Sequence, residues 1–181
     1  MIYYLLANNS AIKDHHIDQM DLDQNNVLIL FNYMIPMSFS KVKNYTKKYV
    51  FCRLIIDQSM PTGEKPMYAG LEELKSTSHL FEKICLHPYP EVLEHISINM
   101  DRIISIDNDI VDFRKKYRYP RYKNMSTGFI VYNYIDKIKN VDDKIILVGF
   151  TSEINRNYHH HSWEAKFFRE ETKKGKCELI W

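Results

Sequence analysis

The chain has 181 residues, 45% hydrophobic and 27% charged, with a formal net charge of +2. That balance describes a globular chain with a sizeable core; it excludes a wholly disordered chain and argues against a dedicated nucleic-acid binder, which would carry a large basic excess. Cys52, Cys85 and Cys177 have neither metal-ligand spacing nor the even count of a disulfide framework, so a reducing cytoplasm is the expected compartment.

The first seven residues lack the basic region and long apolar core of a signal peptide. No apolar run approaches the ~20 residues that span a bilayer, so membrane contact, if present, is expected to be peripheral, at the inner face. Thirteen tyrosines lead to the expectation that some hydroxyls face a groove or partner, since a buried phenol needs a hydrogen-bond partner.

Ile2–Leu6 reads as a first strand that runs into Ala7, Asn8, Asn9 and Ser10. The glycine-rich fingerprint of a dinucleotide turn is absent. The two asparagines either cap a tight turn or offer amide donors and acceptors to a ligand. Val27–Phe31 reads as a second buried strand, ending at Asn32. Two strands that each deliver an asparagine at the carboxyl end suit a base edge or a sugar diol.

Residues 39–48 read as a short helix or connector, 49–56 as a third strand and 57–66 as a breaker-rich rim loop. A helix over 69–76, a fourth strand over 81–86 and a helical stretch over 91–96 follow. Residues 102–106 alternate poorly and are expected to form a fifth strand buried on both faces. A short helix over 110–116 leads into the run R-K-K-Y-R-Y-P-R-Y-K at 114–123. Its cations, interleaved with Tyr117, Tyr119 and Tyr122, either grip phosphate and stack on a base or form a solvated loop. The small net charge favours a nucleotide-sized anion over a polymer.

Ser126 or Thr127 is expected to cap a helix running through Lys139, with Gly128 in its first turn. Phe129, Ile130, Tyr132 or Asn133, Ile135 and Ile138 approximate one apolar face, and the free N–H groups at the helix start make a ready phosphate site. A compact apolar strand over 145–148 closes at Gly149. His159, His160 and His161 then precede Glu164, followed by a helical stretch over 163–171 and an edge strand over 178–181. The three histidines are either incidental or face a ligand, where imidazole suits proton transfer near neutral pH. Strands alternate with helices over residues 1–181, which predicts a single α/β domain: an open, mostly parallel sheet with helices on both faces, Rossmann-like, binding its ligand at the carboxyl edge.

Taken in order, these motifs resemble the sialyltransferase-like glycosyltransferases, the bacterial single-domain type and, more distantly, the eukaryotic sialyltransferases. That family opens with a strand followed by G-N-G-P-S, where this chain has A-N-N-S, so Asn8 matches the donor-binding asparagine while Ala7 and Asn9 replace glycines. Asn32 in F-N-Y matches the asparagine closing the next strand, and Ser126-Thr127-Gly128 is similar to the family's later helix start. Leu147-Val148-Gly149-Phe150 is similar to the following strand, with Thr151 where an aspartate is usual, and H-H-H-S-W-E is similar to its histidine–glutamate segment.

The resemblance implies transfer of a sugar from a nucleotide-sugar donor, with CMP-sialic acid as one candidate, to a glycan acceptor in surface polysaccharide or lipooligosaccharide synthesis. It implies no metal cofactor and no nucleic-acid partner, and it leaves oligomerisation open. His161 would be the base, with His159 and His160 as alternatives. Glu164 would orient the imidazole. Tyr117, Tyr119 and Tyr122, helped by Arg118 or Arg121, would donate to the leaving phosphate. Asn8, Asn9, Ser10, Asn32, Ser126, Thr127 and Gly128 would hold the donor.

Asp107-Asn108-Asp109 is the nearest imitation of a metal-binding carboxylate pair, although a helix cap is the expected job of Asp107 or Asn108. The alternative function is a sugar-nucleotide or glycan-binding domain without turnover. A metal hydrolase using the histidines and Glu164 is disfavoured, because no H-E-x-x-H pattern is present.

Overall fold

The computed structural model describes residues 1–7, 12–32, 34–55, 67–68, 71–87, 99–119, 125–150 and 161–180. Its centre is a parallel sheet built from β1 (Ile2–Leu6), β2 (Val27–Phe31), β3 (Lys48–Ile55), β5 (Lys83–His87), β6 (Ile103–Ile104), β7 (Lys144–Val148) and β8 (Glu178–Ile180), with β4 (Met67–Tyr68) antiparallel to the end of β3. The spatial order is β6-β5-β3-β2-β1-β7-β8. The helices are α1 (Asp14–Asp18), α2 (Ser40–Asn44), α3 (Leu71–Thr77), α4 (Asp107–Lys116), α5 (Thr127–Ile138) and α6 (His161–Lys173). This is the α/β, Rossmann-like fold that the strand–helix alternation predicts.

The central strands are apolar runs because both their faces are covered. All five residues of β2 are buried. Successive side chains point to opposite faces, which divides the apolar residues into two cores. Tyr3, Leu5, Ile29, Phe31, Phe51, Ile145 and Leu147 pack with Phe129, Ile130, Phe167 and Phe168 of α5 and α6. Tyr4, Leu6, Leu28, Leu30, Val50, Ile146 and Val148 pack with Ile17, Val42 and Leu74 of α1, α2 and α3.

The first core is dominated by aromatic rings. Phe129 lies 5.0 Å from Phe167, 5.4 Å from Tyr119 and 5.5 Å from Trp163, centroid to centroid. Rings at such separations in tilted or edge-to-face arrangement add about 0.5–1.5 kcal/mol per pair beyond the area they bury.

Several expectations shift by a physical cause. The 102–106 strand shrinks to the two residues of β6, which are half-buried. It lies at the end of the sheet and, among the described residues, pairs with β5 alone. Arg102, in the turn before it, donates instead to the carbonyls of Ser78 and Phe81. Helix α4 begins at Asp107 with Ile106 at the N-cap, so the cap position falls before Asp107 and Asn108. Asp109 is taken by Lys137 at 2.5 Å. Helix α5 is buried nearly all round, Asn133 included, while Ile138 is exposed. One apolar face undercounts a helix packed against the sheet, α4 and the α6 side at once.

Helix α1 escaped the pattern because five residues, D-H-H-I-D, hold too little apolar periodicity to register. Lys48 begins β3 as a buried residue, its Nζ donating to the carbonyls of Val42 (3.3 Å) and Lys43 at the α2 C-terminus. Burial lowers the ammonium pKa. Cys52, Cys85 and Cys177 are all buried thiols.

Several tyrosine hydroxyls among the described residues serve the fold. Tyr4 accepts from Asp21 N at 3.0 Å, and the single Tyr45 hydroxyl proton is shared between the carbonyls of Asp23 and Asn26. Tyr132 donates to Glu171 at 3.4 Å. Burial, with Glu82 adding to it, pushes the Tyr49 hydroxyl up to about 12.

Candidate functional site

From β1 the chain winds outward through β2, β3, β5 and β6, then returns to the other side of β1 as β7 and β8. Strand order therefore reverses between β1 and β7, and the connections on either side of that reversal cover opposite faces. Between such strands a crevice opens outside the carboxyl ends, where open α/β sheets take their ligands.

The carboxyl ends are tightly placed. Leu6 pairs with Val148, and Ala7 N donates to Val148 O at 2.9 Å, extending the β1–β7 ladder by one residue. Gly149 N donates to Ile180 O at 2.9 Å, and Asn32 N to Phe51 O at 3.0 Å. Asn32 and Gly149 both hold left-handed backbone, φ 47° and 69°, which turns the chain sharply as it leaves the sheet. A Cβ on Gly149 would come within 2.0 Å of Ile12 Cδ1, so this strand end is closed against the α1 side.

Helix α5 starts over this same edge. Ser126 is its N-cap, with Oγ accepting from Phe129 N at 3.0 Å. Thr127 Oγ1 receives Asn32 Nδ2 at 3.5 Å. Gly128 faces the Phe150 ring so closely that a Cβ would stand 2.6 Å from Phe150 Cε1. Phe150 in turn meets Phe31 edge-on at 6.1 Å and Phe168 at 5.5 Å. Asn32 and Thr127, 95 residues apart, are thus neighbours at the sheet's carboxyl edge, with Gly128 following Thr127 in the first turn of α5.

Glu164 occupies a place that its spacing from the histidines did not foretell. It is 3% exposed, and its Oε1 accepts from the Tyr119 hydroxyl at 2.7 Å and from Ser126 N at 2.8 Å. One carboxylate oxygen therefore joins the first turn of α6, the segment after α4 and the N-cap of α5. Negative charge there complements the positive end of the helix. Among the four amino-terminal N–H groups of α5, those of Thr127 and Gly128 have no acceptor among the described residues.

Two roles inferred from sequence change accordingly. Tyr119, expected to present its hydroxyl to a phosphate, is 2% exposed and spends that hydroxyl on Glu164. Glu164, expected to orient an imidazole, has its Oε1 occupied by a phenol and a backbone amide. Tyr117 is half-buried, with its ring edge-on to Phe129 at 5.8 Å and Phe167 at 5.2 Å. Nothing in the sequence spacing signalled this link, because Tyr119 and Glu164 stand 45 residues apart.

His161 is the first residue of α6. Asn8, Asn9, Ser10, Tyr122, Arg121, His159 and His160 lie outside the described residues, as do the loop over 57–66 and the helical stretch over 91–96. What the strands do fix is that the chain enters segments 8–11 and 151–160 from the adjacent ends of β1 and β7.

Among the described residues, no group of three or more His, Cys, Asp or Glu side chains is arranged to hold a metal ion. None of the described helices is long and apolar enough to cross a membrane. A cleft of about 410 Å³ bordered by Gln24, Thr46, Lys47, His79 and Glu82 lies at the opposite, amino edge of the sheet. Asn32, Thr127, Gly128 and Glu164 do not line it. No protein-family model, curated protein or solved structure matches the chain.

Proposed function

We propose that the crevice between the ends of β1 and β7 binds a nucleotide sugar. On this reading the chain is a metal-independent glycosyltransferase of the sialyltransferase-like kind, moving a sugar from a nucleotide donor, CMP-sialic acid being one candidate, to a glycan acceptor. The observation that carries the reading is the meeting of Asn32 with Thr127 at 3.5 Å, at the edge where strand order reverses. It joins two motifs 95 residues apart, and the segments holding Asn8 and the histidines begin from the same edge.

In this arrangement Asn32 and the Thr127 and Gly128 amides are the donor contacts, and the amides suit the charge of a phosphate. His161, at the start of α6, is the base that takes the acceptor's proton, with His159 and His160 as alternatives. Glu164 is a positioning residue: it fastens the turn of α6 that begins with His161 to the N-cap of α5. The leaving phosphate and the attacking hydroxyl are thereby referenced to one rigid junction. A second reading, a sugar-nucleotide or glycan-binding domain without turnover, draws on the engagement of Tyr119 and Glu164 with each other, which leaves fewer groups for chemistry.

Thermal-shift titration with nucleotides and sugar nucleotides, with and without divalent ions, tests both. Cytidine monophosphate is expected to raise the melting temperature without metal. Asn32→Gly, which keeps the left-handed backbone but removes the amide, is expected to abolish that rise with little change in the unliganded midpoint. Hydrolysis or transfer of CMP-sialic acid by the wild type and its loss in His161→Ala separates an enzyme from a binding domain. A preference for uridine or guanosine diphosphates with metal assigns a different transferase class, and absence of any response refutes the nucleotide site.

A further inference from the structure

We propose that the carboxyl end of α4 and the turn after it form an electrostatic docking surface for an anionic lipid bilayer. The proposal goes beyond the switch-point reading and does not depend on it. Arg114, Lys115, Lys116 and Arg118 place four cations within five residues. Lys115, Lys116 and Arg118 are exposed; Lys116 is hydrogen-bonded to the Tyr117 side chain and feels the carboxylates of Asp136 and Glu171, which raise its pKa and keep it charged. The exposed Asp112 offsets one charge of the group.

The aromatic residues between these cations point inward. Tyr117 packs edge-on against Phe129 and Phe167, and Tyr119 is buried on Glu164. They are therefore anchors that set the display of charge. Lys116 Nζ lies 4.9 Å over the Tyr117 ring, and the Arg114 guanidinium 5.6 Å over the Tyr119 ring. The turn is closed by Tyr117 N to Phe113 O, Arg118 N to Lys115 O and Tyr119 N to Arg114 O, at 3.1–3.2 Å, with Arg118 in left-handed backbone at φ 50°.

Two simpler uses of these cations fall short. Balancing the α4 dipole needs charge only in the last turn and is worth little when solvated, whereas Arg118 stands beyond the helix. A single-stranded nucleic acid would need the bases to stack on aromatic faces, and the two tyrosines here are turned into the core.

The charge distribution also disfavours a polymer. The chain is +2 overall, hence −2 without these four residues, so the net positive charge resides in this one stretch and a long polyanion gains little from the rest of the chain. A planar anionic surface needs only one such patch of cations to hold the chain. Val111, 54% exposed, stands one turn before Lys115 on the same side of α4 and presents an apolar group to that plane.

The full chain is tested by co-sedimentation with phosphatidylcholine vesicles, with and without phosphatidylserine, at physiological ionic strength. Binding is expected only to the anionic vesicles, and it should weaken as salt is raised. Each Lys or Arg at such a surface strengthens binding roughly fivefold. The triple change Lys115→Gln, Lys116→Gln and Arg118→Gln should therefore weaken binding on the order of 100-fold, with the melting temperature recorded as a folding control. Lys115→Arg with Lys116→Arg should retain binding. Wild-type protein that ignores phosphatidylserine overturns the proposal without reference to any variant. So does a correctly folded triple variant that binds as before, or capture of single-stranded RNA under conditions where anionic vesicles are not bound.

Discussion

Replacing Glu164 tests the junction on which the candidate site rests. Its Oε1 accepts from the Tyr119 hydroxyl at 2.7 Å and Ser126 N at 2.8 Å, with the side chain nearly fully buried. Hydrogen bonds to a charged group contribute about 1.5–3 kcal/mol each, and leaving a buried donor unsatisfied costs about 1–3 kcal/mol. Glu164→Ala orphans two donors at once and is expected to lower unfolding free energy by about 3–6 kcal/mol. That is a large part of the 5–15 kcal/mol typical of a domain.

Glu164→Gln keeps an acceptor but loses the charge that faces the α5 amino terminus, and should cost about 1–2 kcal/mol. Tyr119→Phe should cost about 1–3 kcal/mol, because the carboxylate then keeps Ser126 alone. Urea unfolding followed by circular dichroism measures all three, and the double variant Tyr119→Phe, Glu164→Ala closes a thermodynamic cycle. Residues sharing a bond should be coupled by about 0.5–3 kcal/mol. A Glu164→Ala protein within about 0.5 kcal/mol of wild type, or a cycle that is strictly additive, would refute the junction.

Glu171 gives a pH prediction. Burial alone would raise its carboxyl, but hydrogen bonds from Lys174 (2.8 Å) and Lys176 (3.2 Å) outweigh it and hold the group below its ordinary 4.5. The folded state thus binds fewer protons than the unfolded one. The contribution is full above the ordinary value and is lost as pH falls through the lower folded value. Acid-unfolding curves should show this limb in the wild type and a flatter one in Glu171→Gln.

Gly149→Ala should destabilise by about 2–4 kcal/mol, combining the left-handed penalty with the approach of the new methyl to Ile12. Adding Ile12→Val should recover the steric part and leave the backbone part, as melting temperatures would report. At Gly128 alanine should gain about 1 kcal/mol of helix propensity. It should lose about 1–3 kcal/mol against the Phe150 ring, so Phe150→Leu is expected to reverse the sign of the net effect in urea titrations.

Local pattern sufficed wherever one residue's neighbours in sequence decide its environment. Apolar runs such as V-L-I-L-F at β2 can satisfy themselves only when covered on both faces. Ser126 was legible as a cap because an N-cap serves an amide three residues away, here that of Phe129. The alternation of such units is enough to specify a parallel sheet wrapped by helices. β6 shows where that reasoning stops: 102–106 is apolar enough for a buried strand, but its place at the end of the sheet, set by how the other strands order themselves, leaves it short and half-covered.

The candidate site divides in the same way. Sequence alone determined the α/β class, the strands that end in Asn32 and Gly149, and the helix that opens at Ser126. Only the tertiary structure decided that strand order reverses between β1 and β7, which brings Asn32 to Thr127. It also decided that Tyr119 and Glu164 face each other instead of a ligand. Partners 45 and 95 residues apart leave no periodic trace in a chain, because their meeting is fixed by packing of whole layers and not by any spacing of their own.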